Sequence, residues 1–166
     1  MCLYKLDDTI EDIEVGWQLM EKIDGEIKSF MFHLIPKPEE ELLRARSILV
    51  NTAFHSYRSG FHIFCRKVDA IKFYKDWHYY CKLRNVPFLP NHRVIIRKVY
   101  PRGKILAKGM QDIDLVHFET TTLVPVIVSE MLYIPKLPTR NKEKVKIKPI
   151  EKSPEEQEVI MKEMFG

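Results

Sequence analysis

The sequence predicts an α+β domain in which two helices pack on a mostly antiparallel, twisted sheet of five or six strands. Runs of β-prone residues separated by turn signals indicate the strands, and apolar residues at helical spacing indicate the helices. At 166 residues, the chain has the length of one domain.

A hairpin is predicted near the start of the chain. Residues 14–20 and 26–33 are rich in β-prone residues, and Asp24-Gly25 lies between them. An Asp-Gly dipeptide between two such runs favours a tight turn joining antiparallel strands.

The first helix is predicted over residues 39–50. Pro38 precedes it, acidic residues fill its first turn, and Leu42, Ala45 and Leu49 follow at spacings of three and four. Proline before the first turn and acids within it are typical helix-start signals.

The second helix is predicted over residues 67–84, directly after a short strand at 61–65. Its apolar residues, among them Ala70, Trp77 and Cys81, recur at helical spacing while lysines occupy the other faces.

The remaining elements are predicted to be strands. Residues 92–100 form one strand, the Pro-Arg-Gly sequence at 101–103 supplies a turn, and residues 104–110 return as its hairpin partner. A last strand is predicted near 123–134, where Pro125 confines its part to a sheet edge or a strand start.

The composition changes after residue 135, which sets the predicted domain boundary. Residues 136–152 are basic and contain prolines, as in a flexible linker. Ser153 and Pro154 then begin a short helix predicted over 153–166. We therefore expect a domain at 1–135, and a terminal helix that docks on this domain, on a second copy or on another protein.

Composition also bears on location. No run approaches the ~18–20 apolar residues that cross a bilayer, and no leader opens the chain. The three cysteines, Cys2, Cys65 and Cys81, are an odd number without framework spacing. We therefore expect no membrane association and a reducing location, the cytoplasm of a bacterial host.

Known catalytic and cofactor motifs are not found in the sequence. It lacks the G-x-x-x-x-G-K, G-x-G-x-x-G, G-x-S-x-G and H-E-x-x-H patterns. His62 and Cys65 are three apart in a predicted strand, so their side chains face opposite ways and do not chelate one ion. We expect no metal and no cofactor, and a binding role rather than an enzymatic one.

Positive charge is concentrated in one central segment. Residues 66–108 carry twelve basic side chains and two acidic ones, and acidic segments flank them. Basic groups on a rigid scaffold attract phosphates, and aromatic rings stack on bases. The predicted ligand-binding residues in this segment are Lys72, Lys75, Trp77, Arg93, Arg97, Arg102 and Lys104.

This pattern predicts a small binding or accessory protein. Its partner is expected to be anionic: nucleic acid, a nucleotide or an acidic protein surface. The competing interpretation is that these lysines and arginines simply form a solvated face and the aromatic residues pack in the core.

Residues 57–77, with the sequence YRSGFHIFCRKVDAIKFYKDW, carry a resemblance to a known group. A G-F-H-x-F strand followed by a helix that opens with D-A resembles a pattern in small bacterial and phage proteins to which no activity is assigned. The resemblance implies a bacterial or phage origin and no transferable activity.

The same strand, Gly60 to Phe64, and its following helix also resemble the second motif of the ADP-ribosyltransferase fold. The resemblance implies that His62 takes the position of a pocket aromatic, as a ligand-binding residue, and that Glu130 is the late catalytic glutamate. The strand at 15–19 lacks the arginine or histidine with which that family grips NAD. The alternative function is therefore a degenerate NAD-binding relative of that fold.

Overall fold

The computed structural model describes residues 2–30, 36–86, 92–114 and 121–137. Within them the chain forms nine strands and one helix. In chain order these are β1 (Lys5–Leu6), β2 (Gly16–Ile23), β3 (Glu26–Ser29), β4 (Leu42–Arg44), β5 (Leu49–Asn51), β6 (Ser56–Arg58), β7 (Phe61–Phe64), α1 (Lys67–Leu83), β8 (His92–Asp112) and β9 (Leu123–Tyr133).

Seven strands form one antiparallel sheet, which confirms the predicted antiparallel sheet, but the described residues hold more than the five or six strands expected. The strand order is β1-β8-β2-β7-β9-β4, with β3 paired to the free part of β2. Strand β8 pairs with β2 through its first half and with β9 through its second half. Because β7 joins β2 to β9, these four strands close into a ring. Strands β5 and β6 form a separate pair.

The predicted first hairpin is confirmed as β2 and β3. Their register runs from Met20 opposite Ser29 to Ile23 opposite Glu26. Asp24 and Gly25 form the turn with φ angles of 49° and 88°. Positive φ at both turn residues is what a two-residue hairpin requires, and Asp-Gly supplies it at low cost.

The helix predicted over 67–84 is confirmed as α1. Arg66 stands at its N-cap, and the Arg66 guanidinium donates to both carboxylate oxygens of Asp69 in the first turn, at 2.7 and 2.9 Å. Ala70 and Phe73 are buried against the sheet. At the C-terminal end Asn85 adopts φ 52°, a left-handed conformation that stops the helix.

The helix predicted over 39–50 is wrong. This segment holds β4, which pairs with the C-terminal part of β9, and β5, which pairs with β6. Glu40 has a φ of 61°, which a helix does not allow, and its N–H donates to the Ile134 carbonyl. Pairing with distant strands therefore overrides the local helical spacing, and the described residues contain one helix instead of two.

The hairpin predicted over 92–110 is also wrong. Residues 92–112 form one continuous strand, because β2 and β9 offer it partners along its whole length. The Pro-Arg-Gly sequence lies within this strand, where the register with β9 shifts between Arg102 and Ile105. Gly103 has φ 68°, so its turn chemistry produces a β-bulge and not a chain reversal.

Two hydrophobic clusters fill the domain on opposite faces of the strands. One combines helix residues with strand residues, including Phe73, Phe64 and Leu19. The other, around Met20 and Ile63, contains no described helix residue. Strand β9 lies between β7 and β8 and pairs with both.

The predicted linker at 136–152 and helix at 153–166 lie outside the described residues, apart from Lys136 and Leu137. In the part of the chain that the structure describes, no helix has the length and apolar character needed to cross a membrane.

Candidate functional site

The strand register places cationic and aromatic side chains on one face of the sheet. Lys98, Tyr100 and Arg102 alternate along β8, so all three project to the same side. Trp17 of β2 lies opposite Lys98, and Tyr133 of β9 lies opposite Tyr100. Directly opposed residues share a face. We call this set, together with Lys67 of α1, the cation–aromatic strip.

Contacts within the strip follow from this register. The Lys98 Nζ and the Arg102 Cζ lie 5.5 and 5.3 Å from the centroid of the Tyr100 ring. The Tyr100 and Tyr133 ring centroids are 6.3 Å apart. The Lys67 Nζ lies 5.1 Å from the centroid of the Trp17 ring. Each cation therefore sits against an aromatic ring.

The cations of the strip are not neutralised by the residues that the structure describes. Lys67, Lys98 and Arg102 are exposed, and none of them forms an ion pair with a described residue. The nearby carboxylate of Glu130 accepts instead from Arg44, at 2.7 Å. The strip thus presents positive charge and half-buried ring surface side by side.

Arg97, one of the predicted ligand-binding residues, has a structural role. It is 4% exposed, its guanidinium lies 2.6 Å from a Glu39 carboxylate oxygen, and it donates to the Pro135 carbonyl at 2.5 Å. Because its charge is neutralised inside the fold, Arg97 does not contribute to the strip.

Arg93 and Lys104 also lie apart from the strip. Arg93 is exposed on β8, but its odd position places it on the opposite face from Lys98. Lys104 follows the bulge, and its backbone N–H donates to Glu130 Oε2 at 3.3 Å. Of the predicted residues in β8, Arg102 alone belongs to the strip.

The predicted ligand-binding residues on α1 do not belong to the strip either. The Trp77 ring packs on Phe30 with centroids 5.1 Å apart, so it serves the core. Lys72 and Lys75 are exposed and line a second cleft of about 380 Å³ beside Asp76. That cleft holds none of the strip residues.

A larger cleft opens where β2 and β7 diverge. Trp17 of β2 pairs with Phe64 of β7, and from Met20 onward the same edge of β2 pairs with β3. Gln18 and Leu19 lie between these two pairings and line a volume of about 430 Å³. We call it the β2–β7 cleft.

Lys37 is the most unusual group in the β2–β7 cleft. It is 7% exposed, and its Nζ donates to Gln18 Oε1 at 2.9 Å. Gln18 in turn donates from Nε2 to the His62 carbonyl at 2.9 Å, which bridges the two diverging strands. Burial lowers the pKa of Lys37 to about 8, because desolvation disfavours its charged form.

His62, predicted from the fold resemblance to be ligand-binding, lines the β2–β7 cleft. Its Nε2 lies 3.4 Å from the Tyr57 hydroxyl, and the Tyr57 hydroxyl accepts the Leu3 N–H at 3.1 Å. Burial lowers the pKa of His62 to about 4, and Gln111 acts in the opposite direction. The imidazole is therefore neutral at pH 7.

The described residues contain no cluster of three or more His, Cys, Asp or Glu side chains that could bind a metal ion. The cysteines Cys2, Cys65 and Cys81 are free thiols. Burial raises the pKa of Cys65 to about 11, so its reactive thiolate form is disfavoured at neutral pH.

Sequence reasoning missed Trp17, Tyr133 and Lys37. Trp17 and Lys98 are distant in sequence, so only the register of β2 with β8 brings them together. For Lys37 a local signal existed: a lysine between two prolines has a restricted backbone.

The chain was compared with protein-family models, with curated protein sequences and with solved structures, and none of the three comparisons gave a significant match.

Proposed function

We propose that this protein is a binding protein whose cation–aromatic strip contacts single-stranded nucleic acid. The observation that supports it is the register of β2, β8 and β9, which puts Trp17, Lys98, Tyr100, Arg102 and Tyr133 on one face. Lysine and arginine attract phosphates, and the aromatic rings offer stacking surfaces to bases.

The combination favours single strands over duplex. In a duplex the bases are stacked on each other, so surface rings gain nothing from them, whereas unpaired bases stack on tyrosine and tryptophan. In the free protein Lys98 and Arg102 occupy the Tyr100 ring. An exposed cation–ring contact is worth ~0.5–1 kcal/mol and a base–aromatic stack ~1–3 kcal/mol. Displacing both cations costs ~1–2 kcal/mol, which one base stack offsets, and the displaced cations then contact the phosphates of the strand.

The test is a salt titration of binding to fluorescein-labelled dT12, followed by fluorescence anisotropy. When three cations neutralise three phosphates of a single strand, a plot of the logarithm of the binding constant against the logarithm of the salt concentration should have a slope of about −2. The double variant Lys98→Gln/Arg102→Gln removes two of these cations, so its slope should become shallower, about −0.7.

The matched control is the double variant Lys5→Gln/Lys82→Gln. It removes the same charge at two exposed positions outside the strip, so its slope should stay near that of the unmodified protein. Equal slopes for the two double variants would refute the strip as the binding surface. Tighter binding to duplex DNA than to dT12 would refute the stacking argument.

The proposal places the protein in the cytoplasm of a bacterial cell, where a phage or host protein meets single-stranded nucleic acid. The free thiols of Cys2, Cys65 and Cys81 are compatible with a reducing compartment. Mass spectrometry of the protein from such cells, after thiol alkylation under denaturing conditions, should find all three cysteines alkylated.

The alternative, a degenerate NAD-binding relative of the ADP-ribosyltransferase fold, stays a prediction. Its expected strand and helix correspond to β7 and α1. Glu130, the expected catalytic residue, is engaged by Arg44 and the Lys104 N–H. A rise in melting temperature at millimolar NAD would support this alternative, and an unchanged melting temperature would count against it.

A further inference from the structure

Lys37 is a buried ammonium group with no carboxylate partner among the described residues. Its one side-chain hydrogen bond within the described part of the chain goes to Gln18, and its Nζ lies 5.0 Å from the centroid of the Phe61 ring. An ammonium group has three N–H donors, so further donors remain for another acceptor. Lysine is almost never buried without a partner, because desolvation of its charge is costly.

The backbone around Lys37 keeps this side chain in the cleft. Pro36 and Pro38 flank it and restrict φ on both sides. The Lys37 N–H donates to the Ile27 carbonyl at 2.8 Å, and Pro36 forms a bridge with Lys28 of β3. A lysine usually extends its chain until the amine reaches water, but here the anchored backbone and the surrounding walls keep the amine buried.

The described lining of the β2–β7 cleft combines apolar side chains with neutral polar and cationic ones. Its described lining contains no aspartate or glutamate, and Arg44 and Arg46 contribute to it. Its apolar side chains include Leu19, Phe30, Leu43, Val50 and Phe61. A volume of about 430 Å³ is within the range of ~300–1,000 Å³ found for small-molecule sites.

We propose that the β2–β7 cleft binds a small organic monocarboxylate with an apolar body. Its carboxylate accepts hydrogen bonds from Lys37 Nζ, and its body lies against the apolar wall. A single buried cation matches a single negative charge. A phosphate dianion would need a second buried cation, whereas Arg44 is already engaged by Glu130 and Arg46 is exposed. The inference is independent of the strip, because none of the lining residues belongs to it.

Octanoate and 1-octanol are suitable probes, since they share an apolar chain and differ in charge. Titration calorimetry on the full chain should show octanoate binding that weakens about ten- to a hundredfold in Lys37→Met, the effect of losing a charge-assisted hydrogen bond. Binding of 1-octanol should be weaker than that of octanoate and equal in the two proteins.

Lys5→Met is the matched control, because Lys5 is exposed on β1 and outside the cleft. Its octanoate affinity should equal that of the unmodified protein. A second readout is NMR of ¹³Cε-labelled lysine in the unmodified protein: saturating octanoate should raise the pKa of Lys37, and 1-octanol should not.

Three outcomes would overturn the proposal. They are equal octanoate affinity in Lys37→Met and the unmodified protein, no octanoate binding at millimolar concentration, and a Lys37 resonance that octanoate leaves unchanged. The NMR readout needs no substitution, so it decides the question even where a variant folds poorly.

Discussion

Replacing Lys37 with methionine should change how stability depends on pH. Methionine has nearly the same length as lysine but no charge, so it fits the same space. The pKa of Lys37 is lowered from 10.5 to about 8 in the fold. A lowered lysine pKa means that the unfolded chain binds more protons, so the contribution of Lys37 to stability is fully present above pH 10.5 and is lost as pH falls towards 8.

The size of the effect follows from the shift. Each pKa unit corresponds to about 1.4 kcal/mol, so the charged amine costs the fold about 3 kcal/mol at pH 7. Methionine removes that cost but leaves the Gln18 Oε1 without its donor, a loss of ~1–2 kcal/mol. We expect the variant to be more stable at pH 7 by about 1–2 kcal/mol. The advantage should shrink by about 2–3 kcal/mol between pH 7 and 10.

The pH dependence is measured by urea unfolding at a series of pH values, with tryptophan fluorescence as the readout. The free energy of unfolding of the unmodified protein is compared with that of Lys37→Met at each pH, which cancels groups that titrate alike in both. A difference between the two proteins that stays constant from pH 7 to 10 would refute the assignment of Lys37 as a desolvated ammonium group.

Three further predictions concern the fold. Gly60→Ala should lower the free energy of unfolding, measured in urea, by at least about 2 kcal/mol, because the added Cβ would lie 2.4 Å from the Ser129 carbonyl oxygen. A loss below about 0.5 kcal/mol would contradict this packing. Arg97→Met should lower the free energy of unfolding by about 3 kcal/mol, because it leaves the Glu39 carboxylate without its partner. Binding of dT12 by the folded variant should be unchanged. Weaker binding with unchanged stability would contradict the structural role of Arg97. When the pH falls from 7 to 5, the unmodified protein should lose about 2 kcal/mol more stability than His62→Gln. The reason is that the pKa of His62 is lowered in the fold, so folding opposes its protonation. Parallel curves of unfolding free energy against pH for the two proteins would contradict the neutral imidazole.

Local signals were sufficient for the elements that depend on neighbouring residues. The turn at Asp24-Gly25 was predictable because only a few residue types tolerate positive φ in succession. Helix α1 was predictable because its apolar spacing lies within the helix and its stop signal, Asn85, follows directly after it.

Local signals failed where distant partners decide the conformation. Leu42 has helical spacing to its neighbours, yet it pairs with Tyr133 of β9, a strand far along the chain. Gly103 lies in a sequence typical of a turn, but β8 continues through it as a β-bulge because β8 keeps pairing with β9. Strand pairing of this kind is decided by distant strands of the sheet, so the residues next to Gly103 do not predict it.

The candidate site was predictable only as a charge distribution. Composition shows that residues 66–108 are basic, but it does not show which cations are neutralised. Arg97 is paired inside the fold while Lys98, the next residue, faces outward beside Trp17. The alternation of side chains along β8 produces this difference, and its phase depends on the register with β2.

Photochemical crosslinking tests the proposed strip most directly. A dT12 oligonucleotide that carries 5-iododeoxyuridine is irradiated with the full chain, and the modified residues are identified by mass spectrometry. The strip predicts crosslinks at Trp17, Tyr100 and Tyr133, the rings that flank its cations. Crosslinks confined to α1 around Tyr79, or none at a concentration where anisotropy shows binding, would contradict it.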